Sequence, residues 1–267
     1  MRLPGPVGLV PLLVVLLLAA CGGAGAESRA AEASPPATAS GEPTTAMGRR
    51  CGRPDVEATV ETVSGPAGER LTVSTIGAGP TVAVLLHQTD RVASCGWWRF
   101  ANQLAGDGVR VVLLDFCGYG TSTCDTPWAG DYTDQVVRTV ARLRETGGTR
   151  VTLVGASIGG TVASVSATPA HADAVVNLSG FGFGPMTTGP AVAALTVPIL
   201  GAGSHTEETE SQKLQSEVLG SPSPTRRFLW DQAGHGYSLV LDGPMRDAPV
   251  SPIGRAVIGW VEGRYTD

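Results

Sequence analysis

The feature that most constrains this chain is the segment 150–160, RVTLVGASIGG, in which an apolar, β-branched run leads straight into a glycine-serine-glycine pattern. The run predicts a buried strand, and the residues that follow are compatible with a helix. A strand joined to a helix by Gly155-Ala-Ser157-Ile158-Gly159 predicts a sharp turn with the serine presented at its tip. A Cβ at either glycine would meet neighbouring backbone. Ser157 is therefore a candidate nucleophile, and the Ile158 amide at the helix N-terminus is a candidate oxyanion donor.

A serine in such a turn needs a histidine base later in the chain and an acid between the two. His235 lies in the sequence AGHGY, after the strand-like run 227–230 and before a predicted terminal helix. A glycine-containing loop at this place can carry the imidazole over the serine. His235 is thus the candidate base, and the alternative is a surface or capping histidine in a flexible loop.

The candidate acid follows the predicted strand 195–202. Glu207 is the first choice and Glu208 the second, because a carboxylate just past this strand lies between serine and histidine in chain order. Ser204 and Glu207 also fit a capping box, in which the glutamate would only satisfy amides at a helix end. An acid elsewhere in the chain, or no acid at all, is a further alternative.

A second oxyanion donor is expected after the buried strand 81–86, where the chain continues as His87-Gln88-Thr89. The backbone amide of Thr89 or Gln88 is the candidate, provided that the loop accepts the Cβ of the glutamine. His87 precedes the serine and occupies the oxyanion loop, so we interpret it as a residue that shapes this loop.

Taken together, these segments resemble the α/β-hydrolase superfamily, and the resemblance runs from about residue 56 to the C-terminus. Within this superfamily, the sequence is most similar to a group of small bacterial hydrolases whose substrates are mostly undefined. The sequence departs from the usual pattern at Gln88, where glycine is common, at Glu207, where aspartate is common, and at Cys117, where a basic residue often stands. The resemblance is carried by LLHQ at 85–88, CGW at 95–97, VVLLDFCGYGTS at 111–122, the serine turn and GHG at 234–236.

Strand-like and helix-like runs alternate through residues 51–267, which predicts an α/β-hydrolase fold with a mostly parallel sheet flanked by helices on both faces. The segment 178–195, where such folds insert a cap, is short, which predicts a minimal cap and an open site. Its large apolar side chains, Phe181, Phe183 and Met186, form either an acyl-binding wall or packing over the sheet edge. Strands are expected near 57–64, 69–74, 81–86, 109–115, 150–154, 174–178, 195–202 and 226–230, and helices near 96–106, 131–146, 158–168, 208–218 and 251–262.

The N-terminus predicts export and membrane anchoring. Residues 1–20 have the charged, apolar and small-residue order of a secretory signal peptide, and their apolar run, 7–20, is too short to span a bilayer comfortably. Leu-Ala-Ala-Cys21 resembles the bacterial lipobox, so Cys21 is expected to be lipidated, and the alternative is an ordinary signal with an incidental cysteine. Residues 21–50 have almost no large apolar side chains and are expected to form a flexible tether with a coil span on the order of 30 Å. The domain is then 51–267.

Four cysteines remain in the domain, Cys51, Cys95, Cys117 and Cys124, and an even number in an exported protein predicts two disulfides with three possible pairings. The net charge is −5 and the arginines form no cluster beyond short pairs, which argues against nucleic-acid binding. No metal-ligand spacing and no phosphate loop is present in the sequence, so neither a metal nor a cofactor is expected. We expect a monomer.

These expectations combine into one leading hypothesis, a lipid-anchored, extracytoplasmic serine hydrolase of carboxylic esters or thioesters. Its partners would be a small or lipid-like acyl substrate and the membrane. One alternative is a hydrolase-like envelope binding protein with a vestigial serine. Another is an acyltransferase, which uses the same residues but delivers the acyl group to an alcohol.

Overall fold

The computed structural model describes residues 43–52, 57–66, 68–125, 132–243 and 248–265. The predicted signal peptide, Cys21 and most of the predicted tether lie outside the described residues. Eight strands form one sheet: β1 (Thr59–Ser64), β2 (Arg70–Ile76), β3 (Thr81–Leu86), β4 (Arg110–Leu114), β5 (Arg150–Ala156), β6 (Ala174–Leu178), β7 (Ile199–Ser204) and β8 (Arg226–Asp231).

The sheet is mostly parallel, with the strand order β1-β2-β4-β3-β5-β6-β7-β8. Only β2 runs antiparallel to its neighbours β1 and β4, and every other pairing is parallel. The central strands are continuous apolar runs because helices cover both of their faces. Since β3, β5, β7 and β8 point the same way, the segments that follow them meet at one edge, which we call the carboxyl edge.

The helices pack in two layers, and each layer has its own apolar core. Trp97, Phe100, Val257 and Trp260, from the segments around α2 and α7, belong to the cluster on one face of the sheet, and α3, α4 and α6 contribute to the other cluster. Within the described residues, no helix is long and apolar enough to cross a membrane. The helices are α1 (Pro43–Arg50), α2 (Trp98–Gly106), α3 (Tyr132–Glu145), α4 (Ile158–Ser166), α5 (Thr188–Val192), α6 (Glu208–Gly220) and α7 (Pro252–Glu262).

The predicted α/β architecture, with a mostly parallel sheet between two helical layers, is confirmed. The strand expected from residue 195 begins later, at Ile199, because the Leu195 amide bonds the Val192 carbonyl at the end of α5 and Pro198 has no amide to donate. The segment between β6 and β7 holds a single five-residue helix, α5.

The N-terminal boundary of the domain differs from the predicted one. Residues 43–50 were expected to belong to the tether, but they form α1, in which Met47 is 3% exposed and Arg50 bonds the buried Asp115. A helix of this length is not stable alone in water. Its long-range contacts hold it, and local composition does not reveal them. Among the described residues, the folded part therefore includes Pro43–Arg50, ahead of Cys51.

The four cysteines of the domain form two disulfides, Cys51–Cys95 and Cys117–Cys124, with Cα–Cα separations of 5.2 and 5.8 Å. The first joins α1 to the segment that follows β3, across 44 positions of sequence. The second closes a short loop after β4, across only seven positions. This arrangement selects one of the three pairings that the sequence left open.

Candidate active site

The turn at Ser157 has the strained geometry that its sequence predicts. Its φ is 54° and its ψ is −120°, a conformation that L residues rarely adopt. A Cβ at Gly155 would collide with the carbonyl oxygen of Gly159, and a Cβ at Gly159 would collide with the carbonyl of Leu86. The two glycines thus let α4 turn back tightly over the end of the sheet, with the serine at the apex.

The surroundings of Ser157 fix it from both sides. Its amide donates to the Leu178 carbonyl at 2.8 Å, and its carbonyl accepts from the Thr161 amide at 3.1 Å. Ile158, the first residue of α4, is 3% exposed, and as the first amide of a helix it has no intrahelical acceptor. That amide and the positive end of the helix dipole lie beside the serine, where they favour negative charge.

His235 and Glu207 meet at the carboxyl edge. The Nδ1 of His235 lies 2.8 Å from the Glu207 carboxylate, although the two residues are far apart in sequence. A carboxylate only accepts, so Nδ1 carries the proton in this bond, and Nε2 of the neutral ring is left as an acceptor. The side chains are 37% and 30% exposed. This pair has the geometry of an oriented base.

The competing assignments for the acid occupy other places. The Glu208 carboxylate accepts from Nε2 of Gln212 at 3.1 Å, within α6. The alternative capping box of Ser204 and Glu207 is not formed. The Ser204 side chain makes no cap bond, the Ser204 amide donates to the Ser211 hydroxyl at 3.1 Å, and the Ser204 hydroxyl donates to the Gly234 carbonyl at 2.7 Å. This bond ties the end of β7 to the loop that carries the histidine.

Gly236 brings the histidine loop against the serine turn. Its φ is 58°, and a Cβ built on it would lie 3.1 Å from that of Ala156 and would collide with Oε1 of Gln88. Ala156 directly precedes Ser157, and Gly236 directly follows His235, so the histidine loop and the serine turn pack closely at this point. The ring of Phe181 stands edge-on to the imidazole, with centroids 6.2 Å apart.

His87 is fully buried, and both of its ring nitrogens are used within the fold. Nδ1 donates to the Gln88 carbonyl at 2.8 Å, and Nε2 accepts from the Phe116 amide at 3.1 Å. Removal from water lowers the pKa of His87 below its ordinary value. A neutral ring with both nitrogens engaged fixes the course of the loop, in agreement with its interpretation as a loop-shaping residue.

The oxyanion loop accommodates the side chain of Gln88 because the residue that faces it, Gly236, has no side chain. The Gln88 amide group faces Gly236, and its Nε2 donates to Asp90 at 3.1 Å. A larger residue at 236 would occupy the place of the Gln88 side chain. The glycine missing at position 88 is thus compensated by a glycine in the histidine loop.

An open cavity of about 520 Å³ adjoins the oxyanion loop. Of the three side chains predicted as an acyl-binding wall, Phe183 lines it and is 37% exposed, whereas Phe181 and Met186 pack against the core. The remaining lining residues are Thr89, Asp90, Arg91, Gly118, Tyr119 and Gly120.

One part of the site was missed by sequence reasoning. The carboxylate of Asp115, which is 1% exposed just after β4, accepts from the amide and hydroxyl of Ser94 and from the guanidinium of Arg50. Asp115 stands out as a charged residue at the end of an apolar run, but no local signal pairs it with an arginine in the expected tether. Among the described residues, no three His, Cys, Asp or Glu side chains are grouped as a metal site requires.

The chain belongs to the alpha/beta hydrolase family, whose model matches residues 83–265. That match contains the serine turn, the histidine loop and β3 to α7. A comparison with curated protein sequences finds no significant match.

Solved structures with a similar fold include several hydrolases. An esterase from Pyrococcus furiosus is 14% identical, with a TM-score of 0.59 over 68% of this chain and 84% of that one. Acetyl xylan esterase 1 from Thermoanaerobacterium sp. is 14% identical, with a TM-score of 0.60 over 79% and 84%. An α/β serine hydrolase without a lid from Xanthomonas campestris is 17% identical, with a TM-score of 0.53 over 66% and 84%. At these identities the similarity shows the shared fold, and family and fold together support a hydrolase.

Proposed function

We propose that this protein is a serine hydrolase that cleaves carboxylic esters or thioesters of small or lipid-like acyl groups. The observation that carries the proposal is the 2.8 Å bond between Nδ1 of His235 and the Glu207 carboxylate, on a loop packed against the strained turn of Ser157. A serine in a strained strand-to-helix turn needs a histidine that a carboxylate orients. Together they can activate the serine hydroxyl for attack on an acyl carbon.

In this mechanism, Nε2 of His235 takes the proton from Ser157 as Oγ attacks the acyl carbon. The Glu207 carboxylate holds the ring and stabilises the imidazolium that forms. The amides of Ile158 and of Thr89 or Gln88 stabilise the oxyanion of the tetrahedral intermediate. His235 then returns the proton to the leaving alcohol or thiol, and a water molecule, deprotonated by the same ring, releases the acid.

The cavity beside the oxyanion loop supports small and medium acyl groups. It is open to solvent and bordered by the rings of Tyr119 and Phe183, and the segment over the site contributes only α5. A shallow, partly aromatic wall favours apolar acyl chains by burial of their surface and does not enclose a long chain.

The location of the reaction is part of the same proposal. The signal-like residues 1–20 and the lipobox-like Cys21 would place the enzyme on the outer side of the cytoplasmic membrane, held by a diacylglyceryl thioether. Two disulfides agree with an oxidising compartment. Labelling with radioactive palmitate in the native host, lost in Cys21→Ala, tests the anchor.

The test of the chemistry is hydrolysis of p-nitrophenyl acetate, butyrate and octanoate by the chain from residue 22, beside Ser157→Ala. We expect kcat of the variant to fall by about 10⁶-fold, as for other nucleophile deletions, together with loss of fluorophosphonate labelling. Turnover without labelling, or labelling that persists in Ser157→Ala, would contradict the serine mechanism. An alcohol acceptor that outcompetes water in the product analysis would identify an acyltransferase.

A further inference from the structure

The oxyanion loop, defined here as residues 87–95, is clamped at both ends by two consecutive residues that follow β4. At its start, His87 accepts from the Phe116 amide. At its end, the amide and hydroxyl of Ser94 both bond the Asp115 carboxylate, at 3.2 and 2.5 Å. The candidate oxyanion amides of Gln88 and Thr89 lie between these clamps, so the position of Asp115 governs their position.

The loop does not fix its own shape by favourable backbone geometry alone. Ala93 has a φ of 49°, which an alanine rarely adopts. Oδ1 of Asp90 accepts from the amides of Val92 and Ala93 at 3.2 and 2.9 Å and so stabilises the turn locally. A strained conformation persists only when its surroundings hold it, and here those surroundings include the clamp at Asp115.

Helix α1 completes the clamp through two consecutive residues. The guanidinium of Arg50 donates to Asp115 at 2.5 and 3.3 Å and to the Ser94 hydroxyl at 2.8 Å, so it contacts both members of the bond that ends the loop. The next residue, Cys51, is joined covalently to Cys95. Arg50, the last residue of α1, and Cys51, which follows the helix, are thus paired with neighbouring residues of the loop, once by charge and once by a disulfide.

We propose that Arg50 and Cys51 are positioning residues for the oxyanion hole, an inference that rests on the proposed hydrolase function. Arg50 neutralises the buried carboxylate and fixes its orientation, and the disulfide prevents the end of the loop from moving away from α1. Without them, the amides of Gln88 and Thr89 would sample positions from which they do not reach the oxyanion.

The chain offers a matched control for Arg50. Arg144 makes an ion pair with Asp173 at 2.7 Å, and Asp173 in turn accepts from the Val151 amide. This pair lies at the beginning of β6, at the edge of the sheet opposite the site. Arg144→Gln therefore breaks an arginine–aspartate pair that is more exposed than Arg50–Asp115 and has no connection to the oxyanion loop.

The experiment compares Arg50→Gln, Arg50→Lys and Arg144→Gln in the chain from residue 22, assayed well below their melting temperatures. For Arg50→Gln we expect kcat to fall by about 10²-fold with little change in KM, because a displacement of about 1 Å in the hole weakens only the transition state. Arg50→Lys keeps the charge but not the forked contact and should recover part of kcat. Arg144→Gln should leave kcat unchanged and lower the melting temperature only slightly, because both side chains of its ion pair are about one-third exposed.

The two disulfides supply a second pair of variants. Cys51→Ser with Cys95→Ser should lower kcat. Cys117→Ser with Cys124→Ser should change kcat and KM together, because the 117–124 segment lines the cavity beside Thr89 and its Tyr119 ring contacts His87. Hydrogen exchange of the peptide that covers 88–94 reads the loop directly. We expect it to accelerate in Arg50→Gln and in Cys51→Ser/Cys95→Ser, and to remain as in the wild type in Arg144→Gln.

Equal kcat and equal exchange in Arg50→Gln and Arg144→Gln would overturn the positioning role. Failure of the proposed function gives a different result, namely a wild-type protein that neither turns over esters nor labels at Ser157. An active wild type with an unaffected Arg50→Gln variant therefore refutes this inference alone.

Discussion

The two halves of the candidate site are held in different ways. Ser157 follows β5, whose residues from Val151 onward are buried, and opens α4, which packs against the sheet. His235 and Glu207 lie on loops beyond β7 and the edge strand β8, which is only partly buried, and their side chains are about one-third exposed. The nucleophile is thus fixed by the core, and the base and acid are fixed by a few hydrogen bonds.

Because of this difference, substitutions in the two halves should have different effects on stability and on catalysis. Changes at the serine turn disturb the packing of α4 on the sheet, so they should affect folding and activity together. Changes at His235 itself should affect activity more than folding, because its side chain is 37% exposed. The predictions below test this division, in order of decreasing effect.

The largest effect is expected at Glu207. Glu207→Gln keeps the shape of the side chain but removes the charge that stabilises the imidazolium and the preference for the correct tautomer, so kcat should fall by about 10⁴-fold. Glu208→Gln is the matched control and should leave kcat unchanged, because its partner is Gln212. Steady-state kinetics of both variants checks the prediction. Equal losses in the two would contradict the assignment of the acid.

At the serine turn, Gly159→Ala should lower the free energy of unfolding by about 3 kcal/mol, because the new Cβ meets the carbonyl of Leu86. Gly106→Ala, at the end of α2 where a Cβ meets nothing within 4 Å, should be neutral or stabilising. Chemical denaturation of both variants measures the difference. A Gly159→Ala variant as stable as the wild type would show that the core does not fix the turn tightly.

His87 in the oxyanion loop should make the free energy of unfolding depend on pH. Burial lowers its pKa below the ordinary value of 6.5, so the unfolded chain binds a proton at a higher pH than the folded one. Its contribution to the free energy of unfolding is constant above pH 6.5 and is lost as the pH falls below this value, by at most about 1.4 kcal/mol per pH unit. In His87→Asn the dependence between pH 5 and 6.5 should be weaker, as measured by urea unfolding. An identical slope in both proteins would assign the effect to other groups.

The smallest effect is expected at Ser204. Ser204→Ala leaves the Gly234 carbonyl without its donor, which should cost about 1 kcal/mol of stability and loosen the histidine loop. We therefore expect a moderate loss of kcat in addition. Ser221→Ala removes a similar hydroxyl-to-carbonyl bond to Leu195, far from the site, and should change stability alone. Melting curves and kinetics on the same samples distinguish the two.

Prediction from sequence was most successful where the residues that determine a structure lie in the same segment as the structure itself. The strand, turn and helix around Ser157 are specified within 150–166, and the alternation of apolar runs predicted the sheet and its helical layers. The acid was a choice among residues because Glu207 and Glu208 are chemically alike and adjacent. They differ in where their side chains point. Glu207 precedes α6 and contacts His235, whereas Glu208 begins α6 and contacts Gln212.

The sequence by itself determined the family, the parallel core and the position of the serine turn, because buried strands and tight glycine turns leave periodic, local patterns. Tertiary structure alone decided which glutamate contacts His235, how Gly236 makes room for Gln88, and which cysteines pair. It also decided that α1 belongs to the domain, since Arg50 meets Asp115 across 65 positions of sequence. Such contacts form because the sheet brings distant segments together. The short, polar sequence of α1 contains no local pattern that predicts them.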